Sequence, residues 1–335
     1  MERVEISRRY WEKRGKELVD IDFSRIREIA EEIASDREKR EKLLHLPDWR
    51  WKEYYPADPV EYISHVGIAV AADACFWLEK GHWYFMGEKG ASGWHKLTDV
   101  LRKRGDRKGK GKNSRERVAS YLANLTLEEF EEILKIGGSN ATELQLKRER
   151  VRNLNEYGRV LLEEYEGDFT NFLEAAGWEG PEIVEQLALK FPVAYGEDRV
   201  KTQEGVIPFD KRNHLVCIML FEGLPSRGYG KNVKGLENMI PAIDYRIPQA
   251  LRGMGALKYH DELARKIEKK EVLERNGREE LAIRTAALVA SYTFMKELQK
   301  FEETRDVNAA HIDAYLFLRG RKMGDNFHRV RTLAY

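Results

Sequence analysis

Cysteine is scarce in this chain, net charge is almost absent, and no apolar run is long. The two cysteines, Cys75 and Cys217, lie in the apolar stretches DACFWL and HLVCIML, and no C-x-x-C or paired Cys/His spacing is present. A zinc site of the usual kind is therefore not expected, and both thiols read as buried and reduced. The 58 basic and 57 acidic side chains leave a formal charge of +1, which argues against a protein living on a nucleic-acid backbone. No stretch approaches the ~20 apolar residues of a membrane helix. The opening MERVEISRRYWEKR is charged and lacks the apolar centre of a signal peptide. A cytoplasmic protein with no membrane partner is expected.

What is present is 335 residues, 42% hydrophobic and 34% charged, enough to bury a substantial core in one domain spanning 1–335. Helical periodicity dominates. Over 23–45, Ile26, Ile29, Ala30 and Ile33 share one face. Thr126 with Glu129 forms a capping box ahead of Phe130, Ile133 and Leu134. Further helices are predicted over 145–165, 182–190 and 279–301. Val206–Phe209 is too short to commit to a strand. The expected fold class is mainly α, a multihelical single domain. Residues 102–117 hold nine Lys or Arg with three Gly, and read as a mobile basic loop.

The chemistry concentrates in the Gly- and Pro-rich stretch 223–249. IPAIDYRIPQ sets Asp244, Tyr245 and Arg246 between Pro241 and Pro248, which restrict the local backbone. Asp244 follows an apolar run, so its carboxylate is the candidate catalytic group; capping a helix or pairing with Arg246 are the plain alternatives. Upstream, LPSRGYG is close to the hairpin of helix-hairpin-helix DNA glycosylases, in which backbone amides approach a phosphate. Breaking a ribosyl C–N bond builds positive charge on the sugar, which a carboxylate in a dry site stabilises. Phe76 and Trp77 in DACFW offer rings to stack on a base or simply fill core. Asp313, inside the apolar run HIDAYLFL, is either a buried acid in need of a partner or a helix-start acid at an exposed turn. FDKRNH and FHRVRTLAY set Lys211, Arg212, His328 and Arg329 beside aromatics, which suits a phosphate or ordinary surface pairing.

Taken in order, these segments resemble the queuosine salvage protein family. DYRIPQ (244–249) looks like its DYRxPQ signature, and RVRNLNEYGRVLLEEYEGDFTNFL (150–173) like its long helix and aromatic turn. FDKRNHLVCIML, MGALKYHDEL, HIDAYLF, HRVRTLAY and DACFW each resemble a further family segment. KRNH stands where KRAQ is usual, Ala242 where an aromatic is common, and Leu318 where a second acid is common. The resemblance implies a mainly helical domain shaped like helix-hairpin-helix DNA glycosylases. It implies hydrolysis of queuosine 5′-monophosphate to queuine and ribose 5-phosphate, with no metal or other cofactor. By position, Asp244 is the catalytic carboxylate and Asp313 holds the 7-deazaguanine edge. Phe76, Trp77, Lys211, Tyr245, Arg246 and His328 complete the expected substrate-binding set. The expected partner is that small nucleotide, bound by a monomer without a stable nucleic-acid complex; a base-excision DNA glycosylase is the alternative.

Overall fold

The computed structural model describes residues 2–44, 55–77, 93–136, 144–324 and 326–335. Its first part runs α1 (Glu2–Tyr10), β1 (Val19–Ile21), α2 (Phe23–Ser35), α3 (Arg37–Leu44), α4 (Pro59–Ala71), α5 (Gly93–Lys108), α6 (Ser114–Ala123), α7 (Leu127–Ile136), α8 (Lys147–Glu164), α9 (Phe169–Ala175) and α10 (Gly180–Lys190). The second part runs β2 (Arg199–Thr202), β3 (Gly205–Pro208), α11 (Lys211–Gly223), α12 (Arg246–Gly253), β4 (Leu257–Tyr259), α13 (Asp261–Glu268), β5 (Val272–Leu273), α14 (Arg278–Leu298), α15 (Ala309–Lys322) and β6 (Arg329–Val330). The mainly helical class is as expected. Strands pair only two by two: β1 with β4 and β2 with β3 antiparallel, β5 with β6 parallel.

Local chemistry accounts for the helix starts. The Asp58 carboxylate accepts from the Val60 and Glu61 amides, and Pro59 takes the first helical position of α4. Asn308 caps α15 reciprocally with His311. The 23–45 pattern is two helices, because Asp36 turns extended after α2 and its carboxylate accepts from the Lys39 amide of α3. The Thr126 hydroxyl accepts from the Glu129 amide, as expected.

One expectation needs correcting. Residues 102–108 are the last turns of α5 and 114–117 the first turn of α6, leaving only 109–113 as a connection. The charges there are matched locally: Arg102 meets Glu61, Arg104 meets Glu132, and Arg117 holds Asp106. Periodicity was hidden because acids that neutralise the run lie far along the chain.

The interior divides into two apolar clusters. One gathers α4 and α6–α11 around Tyr62, Phe130, Tyr157 and Phe172. The other gathers α1, α2, α12, α14 and α15 around Trp11, Ile247, Leu288 and Phe294. Within the first, α6 and α8 approach so closely that a Cβ on Gly158 would overlap the Ala119 carbonyl and the Ala123 amide. Backbone cannot swing aside as a side chain can. Gly158→Ala should therefore cost about 1–3 kcal/mol, read as a lower urea midpoint; an unchanged midpoint would mean that α8 shifts freely.

Candidate functional site

Lys211, Asp244 and Asp313, singled out from the sequence, and Asp73 lie near where the chain passes between the two clusters. Ala72 belongs to the first and Ala74 to the second, with Asp73 between them. Phe209 (second) and Leu215 (first) flank Lys211. Ala242 (first) and Ile243 (second) lead into Asp244, while Ala310 (first) and Ile312 (second) lead into Asp313. All four polar residues are buried, each with 5–7% exposure.

Asp244 Oδ1 accepts from the Arg246 amide at 2.7 Å and the Ile247 amide at 3.2 Å, so this oxygen caps the start of α12. Pro248 has no N–H to compete for it. Oδ2 makes no hydrogen bond among the described residues. The Asp244–Arg246 ion pair weighed earlier does not form. The Arg246 guanidinium turns instead to Gln249 Oε1 at 2.7 Å and the Gly324 carbonyl at 2.6 Å, over the Phe327 ring.

Asp313 lies within the first turns of α15 and is buried, so the exposed helix-start alternative also fails. Its Oδ1 accepts from the Ala242 amide at 2.9 Å, and the Ala242 carbonyl accepts from the Asp244 amide at 2.8 Å. Asp313 thus holds the turn that presents Asp244, while its Oδ2 is left without a hydrogen-bond partner. Lys211 Nζ donates to Asp73 Oδ2 at 2.5 Å. Three carboxylates therefore each keep an unbonded oxygen near one ammonium, and the cluster is negative when all ionise.

Electrostatics follow from that imbalance. Burial raises the Asp244 pKa, opposed first by the Lys211 charge and then by the amide bonds to its carboxylate. Burial, and then the Asp244 charge, push Asp313 up to about 7, against the Ala242 amide and Lys211. Both acids are pushed up by burial, and Asp313, at about 7, titrates near neutrality. Their environments differ because Asp244 has two amides on its carboxylate and Asp313 one.

The aromatic candidates split. Phe76 packs partly buried against the first cluster beneath the Arg150 guanidinium, 4.9 Å from its centroid. Trp77 is buried against the second, with Arg329 at 5.5 Å. Tyr245 stacks on Phe327 at 4.6 Å. His328 is buried against Tyr335, and desolvation pushes its pKa down to about 3, so it is neutral and supplies no cation. Arg212 is fully buried and donates to the Ala71 carbonyl. Leu318 lies away from Asp313, lining a groove of about 1100 Å³ with Arg25, Met254 and Tyr315. Five helical residues rotate it well off the Asp313 face.

Sequence reasoning missed Asp73, Asp198 and Arg284. Asp73 sat in DACFW, where the rings drew attention. Asp198 and Arg284 form a buried bidentate pair at 2.7 and 2.8 Å across 86 residues, with no local pattern to announce it.

Fold and site together define a mainly helical protein with a buried, acid-rich cluster at the seam of its two apolar cores. A profile for the queuosine salvage protein matches residues 60–335, and the chain belongs to that family. It is 30% identical over 227 residues to the queuosine 5′-phosphate N-glycosylase/hydrolase of Mus musculus, covering 65% of this chain and 66% of that protein. A bovine relative of the same name is 30% identical, with 65% of each chain covered, so the matched stretch spans slightly under two thirds of either mammalian protein. A relative of the same name from Sphaerobacter thermophilus is 25% identical over 324 residues, 95% of this chain and 94% of its own length.

The proton on Asp313 gives a pH test. A carboxyl whose folded pKa lies above its unfolded value binds more protons when folded, so stability falls as pH rises between the two, here from about 4 to about 7. Asp313→Asn keeps an acceptor for Ala242 but has no charge to bury. Relative to the parent, it should gain on the order of 1–4 kcal/mol between pH 4 and pH 8, by urea unfolding at each pH. A parent–variant difference independent of pH would mean that Asp313 titrates as an ordinary carboxylate.

Proposed function

We propose that this chain hydrolyses the N-glycosidic bond of queuosine 5′-monophosphate, or of a related 7-deazaguanine nucleotide, releasing the base and ribose 5-phosphate. The observation that carries the reading is Asp244: one oxygen fixed by two amides, the other unbonded, in a buried pocket. As the C1′–N bond breaks, the electron pair leaves with the base and the sugar becomes oxocarbenium-like. A pre-placed carboxylate stabilises that charge without reorganising, and orients the water that adds to C1′. The departing base must take up a proton, for which Asp313, pushed up to about 7, is the candidate donor beside Asp244, while Asp244 takes the proton of the attacking water.

The remaining assignments rest on the same pocket. Phe76 and Trp77 supply ring faces beside Asp73. Tyr245 and Arg246, fixed by Phe327 and by Gln249, hold the turn at Asp244. Lys211 and Arg329 remain the candidate cations for the 5′-phosphate, and His328 contributes as a neutral hydrogen-bonding group. The site draws on residues from both clusters, which supports 1–335 as one functional unit; a cytoplasmic monomer acting on a small nucleotide is part of the same proposal. The helix-hairpin-helix likeness rests on LPSRGYG, a short 3-10 turn at Pro225–Arg227 ending at left-handed Gly228. A DNA glycosylase activity is less favoured, because the net charge is +1 and the basic run is neutralised by its neighbours.

Incubation with queuosine 5′-monophosphate, queuosine nucleoside and lesion-bearing duplex DNA, followed by chromatography of released base, tests the reading. Release from the nucleotide, at a higher kcat/KM than from the nucleoside, is expected. Release from DNA alone would replace the proposal with the glycosylase. Asp244→Asn should lower kcat by on the order of 10²-fold or more with folding retained, since an amide keeps the shape but not the charge. Turnover within tenfold of the parent would remove Asp244 from the chemistry.

A further inference from the structure

Behind the pocket lies an ion pair that touches neither Asp244 nor Lys211 by side chain, yet reaches the backbone of both. Asp198 Oδ2 accepts from the Lys211 amide at 3.0 Å and, with Oδ1, holds the Arg284 guanidinium at 2.8 and 2.7 Å. The same Arg284 Nη2 donates to the Ile243 carbonyl at 3.2 Å, one peptide before Asp244. Arg284 is fully buried in the middle of α14, sandwiched between the Phe209 and Tyr335 rings at 4.0 and 4.3 Å, with Glu280 at 3.8 Å. The two arms of the pocket, from different segments of the chain, are thus joined through one guanidinium and one carboxylate.

We propose that Asp198 and Arg284 are positioning residues that set the distance and angle between Lys211 and Asp244. The inference rests on the hydrolase reading above. A bidentate pair fixes the two planes against each other, and the third contact to the Ile243 carbonyl passes that geometry to the turn. Lysine at 284 has the charge but not the planar fork, so it cannot hold both Asp198 oxygens and the carbonyl at once. A misplacement of about 1 Å costs on the order of 10²-fold in rate when binding is intact.

Arg284→Lys and the double variant Asp198→Asn/Arg284→Gln, which leaves no buried charge, test this. Each is first checked for a cooperative melt. In a folded variant kcat for queuosine 5′-monophosphate should fall 10- to 100-fold while KM moves less than threefold. The carboxyl ¹³C titration of Asp244 in the free protein should shift as well, because its turn is no longer held beside Lys211. A pair that served stability alone would leave the titration and kcat of the folded variant unchanged. Parent-like kcat and titration in either folded variant overturns the proposal, as does failure of both variants to fold. A parent without activity sinks the hydrolase reading instead, and the titration still reads the positioning.

Discussion

Among the described residues Lys211 is the ammonium set among Asp73, Asp244 and Asp313, and the site depends on it. Taking a carboxylate out of water costs several kcal/mol unless a counter-charge or hydrogen bonds compensate. Here Lys211 serves three acids, with the Arg246 charge helping at Asp244, and backbone supplies the rest: two amides on Asp244, one on Asp313. The part that is not made up appears as the raised pKa of Asp313. A pocket left short of positive charge binds best what brings or develops some.

The placement at the seam between two cores explains how the shortfall is tolerated. The segments carrying the acids cross from one cluster to the other close to them: at Asp73 itself, between Ala242 and Ile243 ahead of Asp244, and between Ala310 and Ile312 ahead of Asp313. The crossing ahead of Asp244 lies in a turn before a helix start, where backbone amides are not used up by a helix. The amides that cap α12 are the ones that hold Asp244. Helix initiation and site construction are the same hydrogen bonds.

The C-terminal segment closes the assembly from behind. Tyr335 donates to Glu280, meets His328 at 3.2 Å, covers Arg284 with its ring, and accepts from the Cys75 amide through its carbonyl. The segment that bears Phe76 and Trp77, the α14 ion pair and the tail are thereby connected, although they are widely separated along the chain.

Helix positions and the family signature were legible from the amino-acid order alone. Apolar spacing of three and four residues gives α8, α10 and α14 to within three residues at either end, because that periodicity is a property of neighbours. DYRIPQ points to Asp244, since prolines on either side constrain the backbone locally. The basic run 102–117 misled, because the acids that neutralise it come from α4 and α7. Which oxygen of Asp244 is spent on capping, that Asp313 is pushed up to about 7, and that Asp73, Asp198 and Arg284 lie around the site were decided by tertiary structure alone. Desolvation and long-range ion pairs depend on distances between residues tens to hundreds of positions apart, and no local pattern encodes those distances.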